Sequence, residues 1–216
     1  QTLFRELFDS LPKPRQINLN NMVGYDDEHL WLVSEHQVVS CRINNERIEV
    51  LAKSPLFKSG LGQGLKIGNH LYVSSEKGRL LRFEFGKPQP EIIHIPNPYF
   101  NNETKLAKLS DGNILLFMTG MHQAILTPNT GKIRNVKVAG MPQEGSLDPA
   151  FAKQDSYGNV WLGTKRDGLY LMNKNITQMQ RIKIFNDVHI QALVEDTNRQ
   201  IWVTTIRDVF LVTFES

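Results

Sequence analysis

Basic side chains recur at a fixed distance from an aromatic residue along this 216-residue chain. A histidine, lysine or arginine stands five residues after each of four recurring aromatic residues, and one further histidine holds a related position. Several cationic groups around one concave opening would bind an anion, because arginine grips carboxylate or sulfate in a bidentate way and a concave opening focuses the electric field. The alternative is that they are ordinary solvated turn residues, drawn from 25 lysines and arginines. The candidate ligand-binding residues are His36, Lys77, His122, Lys165, Arg166 and Arg207.

The recurring aromatic residues have two interpretations. An aromatic face suits the apolar C–H face of a sugar, so the rings could form a stacking platform for a carbohydrate. A large ring at one position of every repeat would also fill the space between neighbouring sheets, and this packing role is the one we expect. The residues are Trp31, Tyr72, Trp161 and Trp202, with Leu115 in the aromatic position of the third repeat.

The segment DSYGNVWLGTKRDGLYL, residues 155–171, predicts the structural unit on which the basic and the aromatic residues lie. Turn residues and short apolar runs follow one another as in a β-hairpin, and a hairpin needs neighbours to bury its apolar face. Aligned on Trp31, Tyr72, Leu115, Trp161 and Trp202, the repeats are 41, 43, 46 and 41 residues apart. A period of about 42 residues with four short strands per unit is typical of a β-propeller blade. We therefore predict an all-β fold, a β-propeller of five four-stranded blade repeats.

Each repeat is expected to contain an innermost strand, the aromatic-marked strand, a third strand and an outermost strand. In the fourth repeat the innermost, third and outermost strands are predicted at 150–153, 168–172 and 182–185. The fifth repeat stops after a third strand at 209–214, while residues 14–20 resemble an outermost strand and residues 3–8 a third strand. Residues 1–216 would thus form a single propeller domain, either a closed ring of five blades or part of a larger, seven-bladed ring.

Composition argues against several classes of protein. A net charge of +3 with no run of five like charges does not suit a nucleic-acid partner. The single cysteine, Cys41, and the scattered histidines offer no metal site, and no cofactor is expected. No apolar run approaches the ~18 residues of a membrane span, so we expect no membrane insertion by this chain. No nucleophile, phosphate or dinucleotide motif occurs in a suitable context; we expect no enzyme, with a propeller lyase as the alternative.

Two segments, residues 155–171 and 195–214, resemble the two-component regulator propeller repeat, D-x-x-G-N-[IV]-W-[ILV]-[GT]-T-x-x-[DG]-G-L. The match is strong in the fourth repeat, whereas the fifth keeps Asp196 and Trp202 but has Arg199 and Val209 where glycines are usual. That family forms the extracytoplasmic sensor region of hybrid two-component systems. The resemblance implies a periplasmic module that binds a carbohydrate breakdown product, signals to a membrane-bound sensor kinase outside this chain, and works as a homodimer.

Two functions of different classes follow. The first is a ligand-sensing propeller that binds an oligosaccharide at the face formed by the polar turns, an acidic one where the basic residues take part. The second is a protein-interaction scaffold without a small ligand. The loops between repeats would reach the same face and add hydrogen-bonding groups. These are Gln63, Tyr99, Asn101, Asn102, Gln143 and Glu144.

Overall fold

The computed structural model of the chain describes residue 7 and residues 19–44, 47–118, 122–141 and 148–213. The chain divides into two compact units, residues 1–103 and 104–216, and each is described by itself. Every sheet is antiparallel, with consecutive strands as neighbours. The predicted strand at 3–8 and most of the one at 14–20 lie outside the described residues, and Leu19 and Asn20 belong to the first innermost strand.

The first unit contains two four-stranded sheets. The first sheet consists of β1 (Leu19–Gly24), β2 (His29–Ser34), β3 (Val38–Asn44) and β4 (Arg47–Lys53). The second sheet consists of β5 (Leu61–Ile67), β6 (His70–Ser75), β7 (Arg79–Glu84) and β8 (Glu91–His94). Asp, Gly and Asn residues occupy most of the connections, because these residues tolerate the backbone angles that tight turns require.

The second unit contains three sheets in its described residues, two of four strands and one of three. The third sheet consists of β9 (Lys105–Lys108), β10 (Ile114–Phe117), β11 (Gln123–Thr127) and β12 (Lys132–Val136). The fourth consists of β13 (Pro149–Gln154), β14 (Val160–Thr164), β15 (Leu169–Met172) and β16 (Met179–Arg181). The fifth consists of β17 (Ile190–Glu195), β18 (Ile201–Thr205) and β19 (Val209–Val212).

The prediction of an outermost strand at 182–185 is wrong. That strand is β16, which ends at Arg181 because its partner β15 begins at Leu169, whose carbonyl accepts the N–H of Ile182 at 2.8 Å. Residues Lys183–Phe185 form a 3₁₀ turn, and Phe185 is buried between the fourth and fifth sheets. Ile182 and Phe185 are therefore apolar because they pack in the cluster between the two sheets, whereas Ile184 is exposed.

The core of each unit lies between neighbouring sheets. In the first unit Trp31 and Val33 of β2 pack against Leu71, Leu81 and other residues of the second sheet. In the second unit Val160 and Leu162 face the third sheet, while Trp161 between them faces the fifth. Successive side chains of a strand point to opposite faces, so a strand with sheets on both sides is apolar throughout.

Up-and-down sheets repeated at about 42 residues are the blades of a β-propeller. The all-β fold class and the five blade repeats are therefore confirmed, with a fifth sheet of three strands in the part of the chain that the structure describes. The single domain over 1–216 and membership of a larger ring stay predictions.

Candidate functional site

An aspartate fixes the turn before the aromatic-marked strand. Asp155 accepts the backbone N–H groups of Tyr157 and Asn159 at 3.0 and 2.8 Å, and its second oxygen accepts the indole N–H of Trp161 at 2.8 Å. Asp196 makes the equivalent contact with Trp202 at 2.9 Å. The D-x-x-G-N-x-W pattern of the fourth repeat therefore encodes a turn that is tied to the ring it precedes.

A hydroxyl closes the turn after the aromatic-marked strand in three sheets. Thr164 Oγ1 donates to the carbonyl of Gly168 at 2.8 Å and accepts the N–H of Asp167 at 2.8 Å. Ser34 donates in the same way to the carbonyl of Gln37 at 3.0 Å, and Thr205 to that of Asp208 at 3.3 Å. Most of the predicted basic residues lie on turns that such a hydroxyl group closes.

The basic residues of the second unit differ in their surroundings. Lys165 pairs with Asp148, with Nζ 3.0 Å from Oδ1. Arg166 and Arg207 are exposed, and neither guanidinium has a hydrogen bond or ion pair within the described ranges. His122 is half-buried at the start of β11, where its carbonyl accepts the N–H of Met118.

In the first unit the histidine has a structural partner. His36 Nδ1 lies 3.0 Å from the carbonyl oxygen of Phe57, in the loop between the two sheets, and this contact holds the half-buried ring. Lys77 is exposed, and its amine has no hydrogen bond or ion pair among the described residues. The predicted convergence of all six basic residues extends over both units and stays a prediction.

The turn that carries Lys77 departs from the hydroxyl-closed pattern. Ser75 occupies the place of Thr164, but its buried Oγ has no hydrogen-bond partner. Lys77 and Gly78 both adopt left-handed backbone angles, with φ of 59° and 66°. This conformation is uncommon for a residue other than glycine and costs of order 1–3 kcal/mol. Arg79 supports the turn instead, because its Nε donates to the carbonyl of Glu76 at 3.2 Å.

A pocket of about 560 Å³ lies between the turn of residues 76–78 and the loop of residues 95–102 that follows β8. The loop is fixed from within, since Asn97 Oδ1 accepts the N–H of Tyr99 at 3.0 Å and Asn101 Oδ1 that of Glu103 at 2.9 Å. The amide NH₂ of Asn97 has no partner among the residues described. The lining residues are Glu76, Lys77, Gly78, Ile95, Asn97, Pro98, Phe100, Asn101 and Asn102.

Three of the predicted residues therefore meet in one place: Lys77, Asn101 and Asn102. Tyr99 and Gln63 are not among the lining residues, and Gln143 and Glu144 lie outside the described residues. Sequence reasoning missed Asn97 and the buried, apolar Ile95 and Phe100. The Asn-Pro pair at 97–98 and the Asn-Asn pair at 101–102 were the signals available for this loop.

The expected packing role of the aromatic residues is confirmed for three of them. Trp31, Tyr72 and Trp161 are buried, whereas Trp202 remains partly exposed. A second pocket, of about 450 Å³, lies in the second unit beside β16 and carries amide side chains such as those of Asn173 and Gln178. No group of three or more histidine, cysteine, aspartate or glutamate side chains within the described ranges is arranged to hold a metal ion.

Solved structures show the same fold. Two extracellular domains assigned to hybrid two-component systems of Bacteroides thetaiotaomicron match with TM-scores of 0.66 and 0.71, at 15% and 16% identity, over 91% and 95% of this chain. The chain spans 28% of each of those domains. A catalytically inactive virginiamycin B lyase from Staphylococcus aureus, solved with quinupristin, matches at 11% identity with a TM-score of 0.70, over 93% of this chain and 71% of the lyase.

These likenesses establish the β-propeller fold, at identities too low to carry an activity across. No family model matches the chain. No curated protein matches it significantly. Two of these structural neighbours are thus extracellular domains of two-component systems. Within the described residues no helix has the length and apolarity to cross a membrane.

Proposed function

We propose that this chain is an extracytoplasmic, ligand-sensing β-propeller of a two-component receptor, located in the periplasm, and that it binds an acidic oligosaccharide. The observation that carries the proposal is the pocket between residues 76–78 and 95–102, which places the unpaired amine of Lys77 beside amide side chains. The rest of the receptor, including a membrane-bound kinase, is the partner to which it signals. A homodimer and a role without catalysis belong to the same proposal.

The size and lining of the pocket suit a saccharide. Small-molecule sites are usually clefts of roughly 300 to 1,000 Å³ with a few fixed polar groups, and this pocket measures about 560 Å³. The amides of Asn97 and Asn101 are of the type that binds sugar hydroxyls, and the loop's own hydrogen bonds hold their oxygens in place. A preorganised loop loses less conformational entropy on binding.

The pocket lining carries one amine, that of Lys77, and one carboxylate, that of Glu76. Lys77 has no carboxylate partner among the described residues, so a uronate carboxylate or a sulfate on the ligand would supply one as a charge-assisted hydrogen bond. The left-handed backbone of Lys77 is a strained conformation at a surface turn, and such strain is commonly retained at binding sites. The extracellular domains of two-component systems among the structural neighbours support the sensing role that we propose.

Titration calorimetry with trigalacturonate and with a neutral trisaccharide tests the proposal. We expect the acidic sugar to bind, and Lys77→Ala to weaken its binding about tenfold, the loss typical of one charge-assisted contact. Lys87→Ala is the matched control, because Lys87 is an exposed lysine between β7 and β8 of the same sheet. Equal affinity in the two variants, or no binding of any acidic oligosaccharide, contradicts the proposal and favours a scaffold.

A further inference from the structure

The second pocket, of about 450 Å³, lies on the fourth sheet beside its outermost strand, β16. Every described residue that lines it belongs to the second unit, so the pocket is formed without the first unit. Its volume is within the roughly 300 to 1,000 Å³ that is usual for a small-molecule site. Four lining residues carry carboxamide side chains: Asn159, Asn173, Gln178 and Gln180.

The chain that follows β12 forms one wall of this pocket. Ala139 runs parallel to β16, where its N–H donates to the carbonyl of Thr177 and its carbonyl accepts the N–H of Met179, both at 2.8 Å. Gly140 comes next with φ of 79°, and an added Cβ would lie 2.1 Å from the carbonyl oxygen of Met179. The wall is therefore held by backbone contacts rather than by side chains that a ligand would displace.

Strand register brings the polar side chains of the pocket together. Gln180 on β16 lies directly opposite Leu171 on β15, and directly opposite residues share one face of a sheet. Gln178 comes two residues before Gln180, and Asn173 two residues after Leu171, so alternation places all four on that face. The backbone N–H of Asn173 donates to the carbonyl of Gln178 at 3.0 Å, which fixes this pair beyond the end of β15.

Two of the four carboxamides are held by the protein, and two are free to bind a ligand. Asn173 Oδ1 accepts the N–H of Gln178 at 3.1 Å, and Asn159 Nδ2 donates to Asp155 Oδ2 at 3.2 Å. Gln178 and Gln180 are exposed, and neither side-chain amide has a hydrogen-bond partner among the described residues. The pocket thus combines two fixed amides with two that can adapt to a ligand.

The chemistry of the lining selects for an uncharged ligand rich in hydroxyl groups. None of the described lining residues is ionisable, so a charged group would lose hydration without gaining a counter-charge. A carboxamide presents donors and an acceptor side by side, and a hydroxyl group is likewise both donor and acceptor. Leu171, which is partly buried, adds apolar surface that suits the C–H groups of a sugar ring.

We propose that the pocket beside β16 is a second ligand site of this chain and that it binds a neutral saccharide. The proposal is independent of the acidic-oligosaccharide site in the first unit, because the two pockets share no described residue. They also differ in charge. The pocket of the first unit carries the amine of Lys77 and the carboxylate of Glu76, whereas the described side chains of the second pocket are all neutral.

Titration calorimetry with cellotriose, maltotriose, xylotriose and mannotriose tests the proposal. We expect at least one of these neutral trisaccharides to bind the unchanged chain. A double variant, Gln178→Ala with Gln180→Ala, should weaken that binding about tenfold, the loss typical of one or two neutral hydrogen bonds. Gln191→Ala is the matched control, because Gln191 is an exposed glutamine on β17 that does not line the pocket.

Crossing the variants with the ligands separates the two pockets. Lys77→Ala should leave the affinity for the neutral trisaccharide unchanged, and the double glutamine variant should leave the affinity for trigalacturonate unchanged. Nuclear magnetic resonance of the unchanged, ¹⁵N-labelled chain gives a measurement that needs no variant to fold. The side-chain NH₂ signals of Gln178 and Gln180 should shift on addition of the neutral trisaccharide, while that of Gln191 should not.

Three outcomes overturn the proposal. The first is that none of the four neutral trisaccharides binds. The second is that the double glutamine variant binds as tightly as Gln191→Ala, or that the NH₂ signals of Gln178 and Gln180 do not move in the unchanged chain. The third is that the double glutamine variant loses affinity for trigalacturonate, because the pocket would then accept an acidic sugar.

Discussion

The indole N–H of Trp161 donates a hydrogen bond to the carboxylate of Asp155 at 2.8 Å, across a turn of five intervening residues. The same carboxylate accepts two backbone N–H groups of that turn. One buried acidic side chain therefore ties the turn, the second strand and the packing of the ring between two sheets. Loss of the Asp155 carboxylate should therefore affect both the turn and the stability of the second unit.

Asp155→Ala should destabilise the protein by roughly 2 to 4 kcal/mol, because it leaves a buried indole N–H and backbone N–H groups without acceptors. Asp196→Ala removes the equivalent bond to the partly exposed Trp202, where water can replace the carboxylate, and should cost about 1 kcal/mol. Urea unfolding followed by circular dichroism measures both losses. An Asp196→Ala variant as unstable as Asp155→Ala would argue against this assignment.

Acid should destabilise the fold through the same type of turn. The hydrogen bond from Trp202, together with those from the backbone of Gln200 and Asn198, holds the pKa of Asp196 below its ordinary value of 3.8. A lowered pKa in the folded state contributes stability that is present above 3.8 and is lost as the pH falls through the lower value.

Thermal unfolding between about pH 6 and pH 2 checks this expectation. Asp196→Asn cannot titrate, so its melting temperature should fall less steeply in acid than that of the unchanged chain. Parallel curves for the two proteins would show that Asp196 does not take part.

The thiol of Cys41 should be unreactive in the native protein. Burial raises its pKa to about 11, and the residue packs with Leu32 and Val39 on the first sheet. Thiolate, the reactive form, is therefore scarce near neutral pH, and reagents cannot reach it. Labelling with a disulfide reagent at about pH 8 should follow the unfolded fraction across a urea titration. Rapid labelling of the folded chain would contradict this expectation.

Gly168→Ala should be among the most damaging single changes in the second unit. Gly168 has φ of 86°, and an added Cβ would lie 1.8 Å from the carbonyl oxygen of Phe185. Gly131→Ala is the matched control, since its φ is 67° but nothing lies within 4 Å of the added atom.

Backbone strain alone should cost the control about 1 to 2 kcal/mol. The clash should raise the loss at Gly168 above 3 kcal/mol or shift the 3₁₀ turn, by roughly the cost of overpacking. Equal melting temperatures in the two variants would show that the turn moves freely.

The strands were accessible to sequence reasoning because their signals are local. The short apolar run of β14 and the glycine and asparagine of the turn at 155–159 depend on neighbours only a few residues away. The outermost strand of the fourth sheet was misplaced, since Phe185 is apolar for a contact with the fifth sheet that the local pattern does not reveal.

For the basic residues, too, local sequence predicted the position in a turn but not the contacts of the side chain. Their spacing after the aromatic positions predicted the turns on which they lie, but His36 and Lys165 also contact groups from elsewhere in the chain. His36 meets the carbonyl of Phe57, and Lys165 meets Asp148. Lys77 alone among the six lines the pocket of the first unit, beside a loop about 20 residues further along.

By itself the sequence determined the repeat, the all-β class and the turn chemistry, because strand periodicity and turn propensities act over a few residues. Only the tertiary structure decided which basic side chain lines a pocket, and which aromatic ring stays partly exposed. Those properties depend on distances between segments some 20 to 40 residues apart, which follow from how whole sheets pack. Local sequence therefore sets the turns that carry the candidate side chains, and the packing of the sheets sets the surroundings of each side chain.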